Sequence, residues 1–368
     1  MKRNLVFYIW IFTTLIIIFG LIALYSATYQ NVRVTQKVFY DQLGGAILGL
    51  FLMWLIGRVD YRKFFDMAYV LYAVNIVLLM MVLSRGREAL GASRWLDLGG
   101  FSFQPSEVTK LTLILLLARY YTQHRSKVSF YLHGSLKVLL RDLIIPLTLT
   151  GISMMLIFKQ PDLGTTILLL GIFFLILFAS GVAYRYIIGL LVVCFSVMPL
   201  AWHFLKPYQK DRLLDFLNPN IDPLGAGYTI IQSKIAIGSG RFFGKGWLSG
   251  TQNQLNFLPE RHTDFIFSVI GEEWGIVGTL VLVCFYFILI DCGIRVAQQT
   301  KDQFAVLVAV GIVGILSLQV VINIGMVLGL LPVVGIPLPL ISYGRTSFIM
   351  FIIMLGILVN ISNRRTIF

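Results

Sequence analysis

The chain has 368 residues, 58% of them hydrophobic and only 13% charged, with a formal net charge of +13 and a mean hydropathy of +0.84. Soluble domains carry about 25% charged and about 45–50% apolar residues, so a water-soluble globule is excluded. The apolar runs are long and continuous, close to the roughly 20 residues a helix needs to cross hydrocarbon, which predicts an all-α polytopic integral membrane protein rather than a barrel.

In chain order the runs predict about ten transmembrane helices: 5–27, 43–57, 65–83, 107–121, 143–158, 164–181, 186–204, a span starting at 264 or 274 and ending at 291, 304–331 and 346–362. The first follows MKRN directly and is too long for the apolar region of a cleavable signal, so it is read as a span. The second, fourth and tenth are the weakest, each about 14 to 17 residues long. Cys194, Cys284 and Cys292 lie in or beside apolar runs, which suits buried thiols better than a disulfide framework.

Ten crossings place both termini on one side, and the lysines and arginines choose it. That side collects Lys2, Arg3, Arg58, Arg62, Lys63, Arg119, Arg125, Lys127, Lys137, Arg141, Arg185, Arg295, Lys301, Arg364 and Arg365, against seven cations in the short segments opposite. By the positive-inside rule both termini are cytoplasmic. Of the 17 acids, only Asp60, Asp66, Asp142, Asp291 and Asp302 fall inside, so chemistry is expected at the outer face. The excess of cations is a topology signal plus attraction to anionic lipid, and nucleic acid drops out as a partner.

The first outer motif, GASRWLDLGG, holds Arg94 and Trp95, the latter an interfacial anchor or a stacking surface for a sugar. In QPSEVTK, Glu107 and Lys110 are three apart on one helix face, an ion pair that either neutralises itself for insertion or lines a wet cavity. Asp162 in KQPDLGT suits a helix cap.

Residues 205–263 form a large extracytoplasmic loop between helices 7 and 8, too long to be structureless. Within it, Tyr228 to Ile237 suits an amphipathic interfacial helix, and the following glycines alternate with Arg241, Lys245 and aromatic residues as either a hinge or a phosphate cradle. Asp264 stands before Phe265, Ile266 and Phe267. A carboxylate against apolar surface is a candidate general base, and equally a helix N-cap.

Gln319 and Asn323, four apart, are expected to bond across helices rather than bind substrate. Pro332, Pro337 and Pro339 break the last outer segment into an irregular element, tolerated only where protein or a water-filled cavity satisfies its backbone. His124, His133 and His203 are scattered, and His262 alone lies near Asp264, so no histidine cluster predicts a metal centre.

QPSE with a lysine three residues on, QPDLGT, the GAGY…QSKIAIGSG…GKGW…GTQ block, LPERHTDFIF…IGEEWG and GIPLPLISYG, in this order, resemble the SEDS family of cell-wall polymerases, in its elongation rather than its division branch. The resemblance covers essentially the whole chain as a single transmembrane domain. It implies a peptidoglycan glycosyltransferase that polymerises lipid II during elongation, partnered by a class B penicillin-binding protein (a transpeptidase) and other elongation-complex proteins.

By motif, Asp264 matches the family's essential aspartate, and Glu107 and Lys110 match a functionally important charged pair. Arg94, Trp95, Asp162, Arg212, Arg241 and Lys245 are the substrate-binding candidates, the cations for the pyrophosphate of an undecaprenyl-linked glycan. A divalent cation (Mg2+ or Mn2+) is the one cofactor candidate. The family pattern is broken by Arg345, where a second glycine is common and which adds a cation to the outer cavity, and by Trp274, where leucine is frequent. A lipid II flippase and a noncatalytic synthase scaffold are the alternatives, the first disfavoured because the polar motifs cluster outside rather than at the midplane.

Overall fold

The computed structural model describes residues 2–30, 32–89, 92–99, 101–124, 140–218 and 227–364. Arg125, Lys127, His133, Lys137, Arg365 and residues 219–226 of the long loop lie outside the described residues.

The elements in chain order are α1 (Lys2–Thr28), α2 (Val32–Arg58), α3 (Arg62–Arg85), β1 (Arg87–Ala89), β2 (Ala92–Leu98), β3 (Phe101–Phe103) and α4 (Pro105–His124). A single π turn (Leu140–Ile144) then leads into α5 (Ile145–Lys159), followed by α6 (Leu163–Ala179), α7 (Tyr184–Phe204), α8 (Pro207–Leu217), α9 (Tyr228–Gly240), α10 (Thr251–Gln254), α11 (Ile266–Gln299), α12 (Gln303–Val327) and α13 (Arg345–Arg364).

Among the described residues, seven helices are long and apolar enough to cross a membrane: Asn4–Thr28, Val34–Arg58, Arg62–Arg85, Leu140–Lys159, Ile266–Gln299, Gln303–Val327 and Arg345–Arg364. Leu163–Ala179 and Tyr184–Leu200 are shorter apolar helices, and α4 carries Glu107, Lys110 and Arg119 along its length. The element at residues 266–299 is one long helix with an internal break at Gly275, where φ is 62° and ψ −157°, so the apolar stretch before Trp274 is its first segment.

Two features differ from the sequence reading. The segment between α3 and α4 is a small antiparallel sheet of order β1-β2-β3. Leu96 pairs with Phe103 and Asp97 with Ser102, and Gly99 turns the chain at φ 62°, a left-handed conformation that glycine adopts without penalty. Of the three cysteines only Cys292 is buried in the protein, whereas Cys284 is exposed and Cys194 intermediate; an apolar run in a membrane protein places side chains on its outside as readily as inside, so hydropathy does not imply burial.

The chain groups into two compact units. The first comprises Met1–Trp54, Lys206–Cys292 and Leu316–Ile353; the second comprises Leu55–Leu205, Gly293–Ile315 and Met354–Phe368. In the second, Asn75 of α3 donates to Thr109 Oγ1 of α4 at 2.7 Å, and Tyr72 donates to the Leu149 carbonyl of α5 at 2.5 Å. Gly311 of α12 lies against Ile114 of α4, and Gly314 against Leu175 of α6. Small residues allow such close approach where lipid supplies no hydrophobic drive between helices.

In the first unit, α9 buries Ile230, Ser233, Ala236 and Gly240 and exposes Lys234 and Ile235. Ser233 Oγ bonds Ser268 Oγ at 2.8 Å and donates to the Val327 carbonyl at 2.6 Å. This small, polar stripe fastens α9 to the start of α11 and the end of α12.

Candidate active site

Residues 261–265 form turns leading into α11, and they are clamped to the irregular segment that follows α12. Tyr343 N donates to the His262 carbonyl at 2.9 Å, Ser342 Oγ to the Thr263 carbonyl at 2.5 Å, and Asn323 Nδ2 to the Asp264 carbonyl at 2.9 Å. Asn323 Nδ2 also reaches the Ile336 carbonyl at 2.7 Å, and Gln319 Nε2 the Pro337 carbonyl at 3.4 Å. The proline-rich backbone, unable to satisfy itself as a helix, thus takes its partners from α12 and the α11 turn. Gln319 and Asn323 of α12 both bond across elements.

This clamp sets Asp264 beside Gly335. A Cβ built on Gly335 would stand 3.5 Å from Asp264 Oδ2 and 3.8 Å from Arg212 Nη1, and Gly335 has φ 71°. Opposite charges from α8 and the α11 turn therefore converge on one bare Cα. Arg212 is exposed, its guanidinium over the Tyr208 ring at 5.7 Å, while Asp264 is half-buried. Burial pushes the neighbouring His262 below its ordinary value, against the opposing pull of Glu260, and raises the Tyr343 hydroxyl.

The glycine-rich stretch holds the break in α11 together. Lys245 N and Gly246 N donate to the carbonyls of Glu272 and Glu273, each at 3.0 Å, while Ile276 N and Val277 N donate to the Arg241 and Phe242 carbonyls at 2.9 and 3.1 Å. Four of the groups freed where α11 opens at Gly275 are repaired by one loop, as a buried helix end requires. The amides of Lys245 and Gly246, which a phosphate cradle would need, are spent on this repair.

Lys245 Nζ is 2.8 Å from Glu272 Oε1 and 2.7 Å from Thr251 Oγ1. Glu272 is fully buried and also accepts from Gln252 N at 2.9 Å, which stabilises the first turn of α10. Arg241, by contrast, has an exposed side chain. Glu272 and its neighbour Glu273, which accepts from Ser26 Oγ at 2.5 Å, are structural centres that sequence reasoning passed over. The available signal was two adjacent acids inside an apolar helix just before a glycine.

The remaining predicted residues belong to the second unit. Lys110 Nζ lies 2.7 Å from both Oε1 and Oε2 of Glu107, with side-chain exposures of 1% and 5%, so the pair is a fully desolvated ion pair. Asp162 accepts from Thr165 N at 3.1 Å and Thr165 Oγ1 at 2.9 Å, the cap of α6 and buried at 3% exposure. Arg94 of β2 donates to the Pro161 carbonyl, tying the sheet to the turn that carries Asp162, and Trp95 beside it is half-buried.

Arg345, expected as an extra cation of the outer cavity, is ion-paired with Asp41 of α2, which also accepts from the Tyr343 hydroxyl at 3.3 Å. Among the described residues no three His, Cys, Asp or Glu side chains converge as a metal cage.

Many long apolar helices, broken where polar residues gather, define the class as a polytopic helical membrane protein with a charged site on irregular backbone. Residues 6–367 match the profile of the FtsW/RodA/SpoVE cell cycle proteins, and the chain belongs to that family. It is 42% identical over 353 residues to the peptidoglycan glycosyltransferase MrdB of Escherichia coli K12, covering 95% of this chain and 91% of that one. To the probable peptidoglycan glycosyltransferase FtsW of Geobacter metallireducens it is 38% identical over 357 residues, covering 94% and 91%. RodA of Thermus thermophilus has a similar structure, with a TM-score of 0.71 at 31% identity over 97% of this chain and 96% of that one. A chain from a peptidoglycan synthase complex that coordinates polymerization and crosslinking gives 0.80 at 33% identity over 99% and 98%.

Proposed function

We propose that this chain is a peptidoglycan glycosyltransferase that polymerises lipid II into glycan strands, with Asp264 as its general base. The observation that carries the reading is the meeting of the Asp264 carboxylate and the Arg212 guanidinium at the bare Cα of Gly335. One group accepts a proton and the other stabilises a developing anion, the two tasks an inverting transfer onto a sugar hydroxyl requires.

The growing glycan on undecaprenyl pyrophosphate is the donor and the 4-hydroxyl of an incoming lipid II the acceptor. The hydroxyl oxygen attacks the anomeric carbon from the face opposite the leaving group. Its proton passes to Asp264, the bond from that carbon to pyrophosphate oxygen breaks, and undecaprenyl pyrophosphate departs with the electron pair. Pyrophosphate needs cations rather than a proton donor, so no second carboxylic acid takes part. Arg212 and the exposed Arg241 are the proposed cations. Mg2+ or Mn2+ enters this reading only as an ion carried on the pyrophosphate, the usual manner of Mg2+ at phosphates, and no step depends on it.

The reading places the chain in the bacterial cytoplasmic (inner) membrane, with ten crossings, both termini cytoplasmic and Asp264 toward the outer face. There the two lipid tails stay in the bilayer while their sugars meet, which lowers the entropic part of the barrier. The proposed partner is a class B penicillin-binding protein, which would crosslink the strand as it emerges.

Purified protein given labelled lipid II, with and without the transpeptidase and with chelator, tests this. Asp264→Asn is expected to remain folded and to lose about 10²- to 10⁴-fold of the polymerisation rate, the usual contribution of a positioned base. Polymer at the wild-type rate from the variant would remove Asp264 from the role. Movement of lipid II across sealed vesicles without polymer would favour a flippase.

A further inference from the structure

Asn323 carries a task that neither its motif nor its chemistry as a substrate ligand suggests. Its side chain is fully buried in α12, its Oδ1 meets no hydrogen-bond partner among the described residues, and its Nδ2 bonds two carbonyls at once, Asp264 at 2.9 Å and Ile336 at 2.7 Å. Only the NH2 end of the amide can face two acceptors, so the orientation is dictated by the partners. An apolar side chain of similar volume would leave both carbonyls unpaired, so the amide is what holds these two backbone segments together.

What the amide secures is the geometry of the charged pair. Ile336 directly follows Gly335, the residue whose Cα borders both Asp264 Oδ2 and Arg212 Nη1. Both bonds from Asn323 therefore end on backbone groups that fix this approach: one on the residue bearing the carboxylate, the other on the residue next to the glycine. Ser342 and Tyr343 secure the two preceding turn residues, Thr263 and His262, but Asn323 alone among these three acts on Asp264 itself.

We propose that Asn323 is a positioning residue for glycosyl transfer, holding Asp264 at its working distance from Gly335 and Arg212 through two backbone carbonyls. The inference rests on the reading of Asp264 as general base. It assigns Asn323 no contact with substrate. A displacement of about 1 Å at a reacting group is enough to cost about 10²-fold in rate without altering affinity, so the signature is a fall in kcat with KM preserved.

The test uses the full-length protein with its transpeptidase partner and labelled lipid II, with rates normalised to folded protein measured by size exclusion and thermal unfolding. Asn323→Leu keeps the volume and removes the donor; Asn323→Gln restores an amide on a longer arm. Expected are a drop in kcat of about 10- to 100-fold for Asn323→Leu with KM within about threefold, and recovery of at least part of that loss in Asn323→Gln. Three outcomes overturn the proposal: kcat for Asn323→Leu within about twofold of wild type, a loss that vanishes on normalisation to folded protein, or a loss carried by KM. Asp264→Asn run alongside separates the two claims. If it is inactive while Asn323→Leu is normal, only the positioning role fails; if Asp264→Asn is fully active, the reading of the base fails instead.

Discussion

The carboxylate of Asp264 and the guanidinium of Arg212, 52 residues apart in the sequence, border the same glycine Cα. Neither belongs to the long spanning helices: Arg212 sits on α8, and Asp264 on the turns before α11. The pair is brought together by a loop helix and a proline-rich segment, the latter held by Gln319 and Asn323 of α12.

Arg212 should matter through its charge and its fork of donors. Arg212→Ala is expected to lower the polymerisation rate about 10- to 100-fold, as removal of one preorganised donor to a developing anion does. Arg212→Lys, which keeps a point charge but loses the planar fork, should fall between the two. Equal rates for all three in the labelled lipid II assay would take Arg212 out of the site.

Gly335 tests whether the space between the charges is required. Its φ of 71° costs a non-glycine residue about 1–2 kcal/mol, a modest shift in thermal midpoint. The added Cβ of Gly335→Ala would sit at ordinary contact distance from Asp264 and Arg212 and so displace whatever occupies the gap. The rate should therefore fall by more than the stability loss explains, and a proportional decline would show the gap to be unused.

The Glu107–Lys110 pair predicts an asymmetry. Removing one partner leaves a buried charge uncompensated, at a cost of about 3–5 kcal/mol, whereas replacing both by apolar residues is often neutral or better. Glu107→Leu should lower the melting temperature in detergent, and the double variant Glu107→Leu with Lys110→Met should recover it. Recovery of activity as well would reduce the pair to an insertion device. Restored stability with no polymerisation would give it a part in the reaction.

His262 gives a pH dependence. Burial lowers its folded-state value, so its contribution to stability is fully present above the unfolded-state pKa of about 6.5 and is lost as pH falls through the folded value. Thermal stability should decline on acidification below about pH 6.5, and His262→Gln should flatten that part of the profile. An unchanged slope would mean that another group titrates.

The predicted ends of α2 illustrate why hydropathy undercounts. The apolar run starts at 43, but the helix starts at Val32, because the first turns are closed by polar contacts: Thr35 to the Thr28 carbonyl, and Asp41 to Arg345 and Tyr343. Sequence periodicity registers what faces lipid or core and is blind to a partner 304 residues away. The same blindness left Arg345 as a cation of the outer cavity and the glycine-rich loop open between hinge and cradle. The cap by Asp162 and the pairing of Glu107 with Lys110 were legible because both are interactions three residues apart, where helical geometry alone puts the groups together.

The sequence by itself determined that this is a multispanning helical membrane protein, and its motifs named Asp264 and the charged pair of α4, since composition and short-range spacing require no knowledge of the folded chain. Only the tertiary structure decided which partners these polar groups take. Lys245 is taken by Glu272 and Asp162 by its own helix, whereas Asp264 meets Arg212 across Gly335. Those assignments depend on long-range backbone contacts, through which Asn323, Ser342 and Tyr343 bring distant turns together, and the energy of such contacts is written in three-dimensional distance rather than in sequence separation.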